Sequence, residues 1–517
     1  MKTKHRQSTT RAIDDDDDDD AFDSHRIASR RPSLNRLASL VVREGTKRNE
    51  TKRSAMMSER CQRWKETTRD ASTRARCGTI DVAIDDGTHT TARTRTPCAL
   101  VPTSRGEHAT LTRDVLDDVE RRLTRAFSSK DETDPTASTT TIERMFGCAL
   151  VGAHFVRKSE RGYKRKRKSG DDDDAVREEN STAKRSDALE RCPPKRRLAI
   201  GHYRDATYFG LNTQARTSKS SNALMFETPY GQKTIGAEAY MRAWRGDAHV
   251  VAALADEHAG WESEKKSKSS AIVTVGWLDA CVEEAGKMGK SGEKTSLWGT
   301  VLGGGYERVR EECARKVAER DASLDGYVLG GFYAGEDETT REACVETVLR
   351  HVPEGKPKYL PGVMTIEDIV GNIERGVDVF DAAWASETAA RGRAFCFPIS
   401  PDAGVDTDAI DSTPCAFSGR DAYSINVWST AYKTDFVPFL GAKNRCACPA
   451  CADHTRAYVH HLLQAHEMTA DVLLEAHNLY HLAAFFAAAR RSIENGSWTA
   501  FAEFHRAYAR RARDDER

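Results

Sequence analysis

The chain has no uninterrupted run of 18 apolar residues, so no stretch is long enough to span a bilayer as a helix. It has no net charge either, because 79 Lys and Arg offset 79 Asp and Glu. That balance excludes a protein that coats nucleic acid wholesale, while leaving room for local patches. No secretory leader precedes its 13 cysteines. A reducing, cytoplasmic setting is therefore expected, with cysteines serving metal binding instead of disulfides. An acid-free, Arg-rich start of the mitochondrial transit type is missing too, since Asp14 to Asp20 are seven consecutive aspartates.

Length allows one large domain with appendages, or two domains. Residues 1–71 are rich in Arg, Ser, Thr and Asp with little apolar periodicity, and are expected to be a disordered N-terminal extension. From 72 the composition turns globular. Cys77 to Val82 alternates like a strand, Thr96 to Gly106 reads as a strand with a turn, and Leu111 opens a helix. Residues 157–197 form a charged insertion, with Lys164 to Lys168 basic, Asp171 to Asp174 acidic and Arg196-Arg197 at its end. Mixed charge of this kind reads as a solvated loop, although basic runs also serve as nuclear addresses or nucleic-acid patches.

Beyond the insertion, strand and helix patterns alternate. Ala248 to Asp256, Leu297 to Leu302, Gly326 to Gly331, Lys358 to Val363 and Val377 to Phe380 read as strands. Tyr306 to Glu319, Thr340 to His351 and Ile366 to Arg375 read as helices. Such repetition implies parallel strands with helical crossovers, in enough units for a (β/α)8 barrel. A doubly wound open sheet fits the same pattern. In a barrel the chemistry sits at the C-terminal strand ends. Three such places stand out: Gly299 to Gly305, Gly330 to Glu336, and Asp381, a carboxylate placed to be a nucleophile.

The most specific stretch lies near the C-terminus. Cys446, Cys448 and Cys451 make a C-x-C-x-x-C knuckle whose thiolates can face one point, and a tetrahedral zinc needs a fourth ligand. Two helical patterns follow, one with Val459, Leu462 and Leu463, the other with Val472, Leu473, Ala476 and Leu479. His477, on the second helix, is the favoured fourth ligand, with His454, His460, His461, His466 and His481 as competitors. Four protein ligands would make the ion structural, because no position is left for a reacting water.

These residues carry a resemblance. The knuckle, then His454-Thr455-Arg456-Ala457-Tyr458 with His460-His461-Leu462-Leu463, then Leu473-Leu474 with His477-Asn478, is similar to the C-terminal zinc subdomain of the tRNA-guanine transglycosylase (queuine tRNA-ribosyltransferase) family. Gly330-Gly331 with Gly335-Glu336, Lys356-Pro357 with Tyr359-Leu360 and Gly362-Val363, and Gly376 to Asp381 resemble further family motifs. Thr96-Pro97 through Gly106 resembles the start of the accessory, non-catalytic subunits. The resemblance covers roughly residues 72–505, apart from the insertion. It implies an α/β fold: a (β/α)8 TIM-type barrel at 72–440, a zinc-binding helical subdomain at 441–505 and a charged tail at 506–517. One structural Zn2+ is implied on Cys446, Cys448, Cys451 and His477. The implied location is the cytoplasm, with association at the mitochondrial outer membrane.

In the catalytic members, the aspartate at the place of Asp381 attacks C1′ of a flipped-out guanosine, and an incoming deazaguanine base displaces the resulting intermediate. That chemistry needs a second carboxylate as acid and base. The Asp-Ser-Gly-Gly motif that supplies it is absent from this chain. Leu302 replaces the base-holding glutamine, and Ala385-Ser386-Glu387 replaces Pro-Thr-Arg, turning a phosphate-facing arginine into an acid. Asp256 keeps the base-recognising position. The resemblance thus implies a non-catalytic accessory subunit with no catalytic residue of its own, Asp381 being a relic. Its partners would be a catalytic transglycosylase subunit, as a heterodimer, and tRNA, for exchange of guanine by queuine at the wobble position of GUN anticodons. The alternative is an active transglycosylase using Asp381 as nucleophile. A nuclear zinc-binding adaptor is a third reading, and it leaves the strand-end glycines without a role.

Overall fold

The computed structural model describes residues 62–83, 91–104, 108–127, 141–145, 147–151, 197–203, 216–218, 222–228, 231–245, 247–258, 262–290, 295–401, 423–441 and 446–514. The aspartate run and the two charged runs of the insertion lie outside the described residues.

Eight strands close into a barrel. In chain order they are β4 (Cys98–Ser104), β6 (Gly147–Val151), β7 (Ala199–His202), β11 (Val250–Ala252), β12 (Ser296–Val301), β13 (Gly326–Leu329), β14 (Lys358–Tyr359) and β15 (Val379–Asp381). Every neighbouring pair is parallel, and β15 returns to β4 through Phe380 opposite Ala99. The open-sheet alternative is thereby excluded. The barrel follows from period-two alternation in runs apolar on both faces. Leu100, Ala149, Ile200, Ala252, Trp298 and Val328 share one buried cluster inside. Their chain neighbours Val101, Ala199, Val251, Leu297 and Leu329 belong to a second cluster packed against the helices.

The helices that follow strands include α1 (Arg113–Phe127), α2 (Ala237–Ala243), α3 (Glu264–Lys290), α4 (Glu307–Ala318), α5 (Glu338–His351), α6 (Ile366–Glu374) and α7 (Ala383–Ala390). Between β7 and α2 lies a small antiparallel sheet of β8 (Arg216–Ser218), β9 (Ala223–Thr228) and β10 (Gly231–Ile235). After α7 come a short hairpin, β16 (Arg393–Phe395) with β17 (Ser424–Asn426), and helices α8 (Pro449–Asp453), α9 (Arg456–Gln464), α10 (Met468–Glu494) and α11 (Trp498–Asp514). Helix α10 is buried on nearly all sides, which is how a helix without a polar stripe is accommodated.

Four readings of the sequence need correction. Strand β1 (Gln62–Arg69) lies inside the segment expected to be disordered. With β2 (Arg76–Ala83), β3 (Thr91–Thr96) and β5 (Thr141–Arg144) it forms a sheet against the N-terminal end of the barrel. There Trp64, Ile80 and Val82 join the inner cluster, and Trp298 Nε1 donates to Gln62 Oε1 at 2.9 Å. The charged residues between the inward positions of β1 hid its alternation. Arg197, placed in the solvated insertion, is buried and pairs with Asp117 and Glu120 of α1, each at 2.6 Å. The expected charged tail continues as α11 to Asp514, with Ala509 buried. The runs at Ala248 to Asp256 and Lys358 to Val363 pair over only three and two residues respectively, because their remaining residues are strand-end loops.

Candidate metal centre and barrel mouth

The knuckle begins where Cys448 caps α8. Its Sγ accepts from the Cys451 backbone N–H at 3.2 Å, and Pro449 fills the first helical turn, where no N–H is needed. Helix α10 brings His477 over it. Nδ1 lies 3.4 Å from the Sγ atoms of Cys448 and Cys451 and 3.9 Å from that of Cys446. The four ligand atoms all lie within 4.8 Å of one another, and all four residues are buried. His477 Nε2 pairs with the Phe395 carbonyl oxygen at 2.8 Å. That bond uses the Nε2 proton and leaves the Nδ1 lone pair facing the sulfurs. Asn478 locks the same helix onto β16, accepting from Phe395 N–H at 2.8 Å and donating to the Arg393 carbonyl at 3.0 Å. Burying three thiolates about one point without a countercharge is unfavourable, and a bound cation removes that cost. The donor set therefore fits a metal ion.

The competing histidines are engaged elsewhere. His460 Nδ1 meets the Val427 carbonyl at 2.8 Å, His454 stacks on Tyr458, and His461 is exposed. His481 Nε2 meets the Phe397 carbonyl at 2.7 Å, and burial pushes its pKa down to about 3. His466 lies beside Trp428.

At the C-terminal end of the barrel, Asp381 ends β15 and is 3% exposed. Its Oδ2 accepts from Gly362 N–H at 2.6 Å and its Oδ1 from Ala383 N–H at 3.2 Å. Gly330 and Gly331 follow β13, the second with φ of +66°, which an L side chain rarely adopts. A Cβ on Gly330 would lie 2.8 Å from Leu302 Cδ2. Leu302 thus packs as an apolar wall against the glycine loop. Asp256 is half-buried, with its N–H donating to Thr274 Oγ1 at 3.1 Å and its carbonyl accepting from the Ser270 hydroxyl. Glu387 pairs with Arg391 along α7 at 2.5 Å, and Ser386 donates to Glu475 at 2.7 Å. Among the described residues, those ending β7 are His202 and Tyr203, stacked on each other, and neither is a carboxylate.

Sequence reading missed the residue that organises this mouth. Arg310 of α4 is fully buried and donates to the carbonyls of Gly304 (2.9 Å), Gly330 (2.6 Å) and Gly331 (2.9 Å). Its guanidinium lies 3.7 Å from the Phe332 ring centroid. Burial lowers its pKa from the ordinary arginine value, partly offset by Cys344 and Glu336. Glu257 completes the clamp by accepting from Gly331 N–H at 2.5 Å. The available signal was position: Arg310 sits on the stripe of Cys313, Ala314 and Val317, where a charge needs buried partners.

The fold and the two sites define a parallel (β/α)8 barrel carrying, in its C-terminal helical part, a Cys3His group that fits a metal ion. The sequence profile of the family described as queuine tRNA-ribosyltransferase matches residues 204–510, more than half of the 517 residues. The chain belongs to that family. Barrel strands β4, β6 and β7 precede the matched region, and the structure supplies them. A queuine tRNA-ribosyltransferase of Lachnospira eligens is 29% identical over 274 residues, covering 52% of this chain and 65% of its own length. Queuine tRNA-ribosyltransferase accessory subunit 2 of Ixodes scapularis is 32% identical over 251 residues, covering 46% and 60%. The subunit of the same name from Xenopus tropicalis is 30% identical over 294 residues, covering 53% and 68%. The chain spans less than two thirds of the length of the first two. Enzymes and accessory subunits match about equally, so overall identity does not separate the two roles.

Proposed function

We propose that this chain is a non-catalytic accessory subunit, pairing with a catalytic transglycosylase subunit in a cytoplasmic heterodimer that exchanges guanine for queuine at the wobble position of GUN-anticodon tRNAs. The observation that carries this reading is the altered mouth. Asp381 is retained, but the Asp-Ser-Gly-Gly carboxylate motif is absent, Leu302 fills space against Gly330, and an acid, Glu387, stands where the family carries an arginine. Without the carboxylate that this motif supplies to protonate the leaving base, Asp381 is half of the acid–base pair. An acid at a phosphate-facing position repels tRNA.

The intact part supports a pairing role. Of the five large hydrophobic residues that are exposed among the described residues, four (Trp428, Phe436, Tyr458 and Met468) lie in the stretch that frames the metal group. Phe436 is 75% and Met468 80% exposed, and large exposed apolar side chains are what an interaction face would cover. Three thiolates and one imidazole favour a structural Zn2+ over harder cations. The ion would hold α8 to α10 and so shape that face.

Labelled-guanine exchange into tRNA tests the reading, with this chain alone and then mixed with a catalytic transglycosylase subunit. Exchange only in the mixture, unchanged by Asp381→Asn in this chain, is the expected result. One observation favours the other reading: Asp381 is held at a strand end by two backbone N–H groups, as a nucleophile would be. Exchange by this chain alone, lost in Asp381→Asn, would establish it as an enzyme.

A further inference from the structure

At the N-terminal end of the barrel, opposite the mouth, lies a cavity of about 320 Å³ whose lining includes Arg74, Arg76, Arg350, Lys358 and Arg375 but only one carboxylate, that of Glu354. Two of the cations are deep. Arg76 is fully occupied: it grips Asp378 with two bonds of 2.9 and 2.7 Å and also donates to the Glu354 and Lys356 carbonyls. That pair ties the N-terminal sheet to the base of β15 and explains itself as structure.

Lys358 has no such explanation. It is 3% exposed, and its ammonium donates to the carbonyls of Glu354 at 2.7 Å and Lys356 at 2.9 Å. An ammonium has three N–H donors, so one remains. Among the described residues, no carboxylate lies within ion-pair distance of it. Desolvation first, and Arg76 second, lower its pKa to about 7. Asp378 and Glu354 offset that fall in part, and an anion in the cavity would accept the third N–H and add a countercharge at hydrogen-bond distance. At the walls, Arg74 and Arg350 turn to Glu346, and Arg375 turns to Glu342 at 2.7 Å. Such partly exposed pairs contribute little to stability, so these guanidiniums can re-aim inward at little cost.

We propose that this cavity is a binding site for a phosphate-bearing anion. Phosphate is the chemistry that uses the set: several oxygens at one centre accept from an ammonium and from forked guanidiniums together. The cavity is a half-open recess lined by residues of the β1–β2 turn, α5 and the segment after α6. A recess suits a free or terminal phosphate, whereas a continuous nucleic-acid backbone needs an open basic track.

Calorimetric titration of the full chain at low ionic strength tests the site, with inorganic phosphate, pyrophosphate, and a short RNA carrying either a 5′-phosphate or a 5′-hydroxyl. One equivalent of phosphate or pyrophosphate is expected to bind. The Arg350→Gln/Arg375→Gln double variant should weaken binding by about tenfold or more, the scale of losing one charge-assisted hydrogen bond. Lys358→Met should abolish it, and Lys287→Gln on α3 should leave it unchanged. If Lys358→Met does not fold, the double variant at the rim decides. Competition by the 5′-phosphorylated RNA alone would identify an RNA end as the source, and competition by neither RNA a free phosphate. No binding at millimolar phosphate, or equal binding by the double variant and the parent, overturns the proposal. Failure here leaves the accessory reading intact, because that reading rests on the other end of the barrel.

Discussion

Asp381 and Arg310 face the same barrel mouth and have opposite histories in the sequence. Asp381 stands out because a carboxylate closes an apolar run, and the structure places it at the end of β15. Arg310 is hidden in a helix, and its role exists only once the loops after β12 and β13 are brought around it. His477 lies between these cases, since several histidines share its neighbourhood and the backbone bond through Nε2 is what aims Nδ1 at the sulfurs. We expect Cys448→Ala and His477→Ala to lose bound metal by elemental analysis and to weaken pairing with the proposed catalytic partner, because a structural site contributes folding energy directly. His461→Ala, on the exposed side of α9, should retain both. Metal kept at one equivalent with unaltered pairing in the first two variants would refute the structural role.

At the scale of elements, the glycine loops after β12 and β13 are held by one guanidinium. Arg310→Met would leave the buried carbonyls of Gly304, Gly330 and Gly331 without their donor. We expect a loss of about 3 kcal/mol or more in denaturant unfolding, with Arg310→Lys recovering only part, since an ammonium cannot reproduce the planar fork. Helix α11 carries a second marker. Burial lowers the His505 pKa to about 3, against an ordinary value of 6.5, and His249 ahead of β11 to about 4. Between those values the unfolded chain binds the proton and the folded chain does not. Stability contributed by the neutral folded form is therefore present above pH 6.5 and is lost as pH falls toward the folded values. His505→Leu should make the fall between pH 6 and 4 shallower by up to about 1.4 kcal/mol per pH unit, one proton's worth. An unchanged slope in thermal melts across that range would contradict the assignment.

For the whole molecule, the N-terminal sheet is part of the barrel's closure. A chain beginning at residue 72, where composition first turns globular, would lose β1 and with it Trp64 over the inner cluster and the Gln62 bond to Trp298. We expect it to be less stable by about 2 kcal/mol or more than a chain beginning at residue 59, from lost aromatic burial alone. Equal melting temperatures would show that the sheet closes without β1. No helix among the described residues is long and apolar enough to cross a membrane, in line with the absence of any long apolar run.

Local pattern determined a good deal of this protein. Alternating apolar runs separated by helical periods specified parallel strands with crossovers, and three cysteines within six residues specified a metal knuckle, because each depends only on neighbours in the chain. What local pattern left open was settled by contacts between residues far apart in sequence. Closure of the barrel needed β15 beside β4, 281 residues earlier at Val379 and Cys98. The seating of Arg197 on Glu120, the grip of Arg310 on the loop after β13 and the gathering of cations around Lys358 likewise join separate elements. Such partners leave no periodicity, since a buried charge is satisfied by whatever donor or acceptor the fold delivers to it, and only the assembled barrel says which one that is.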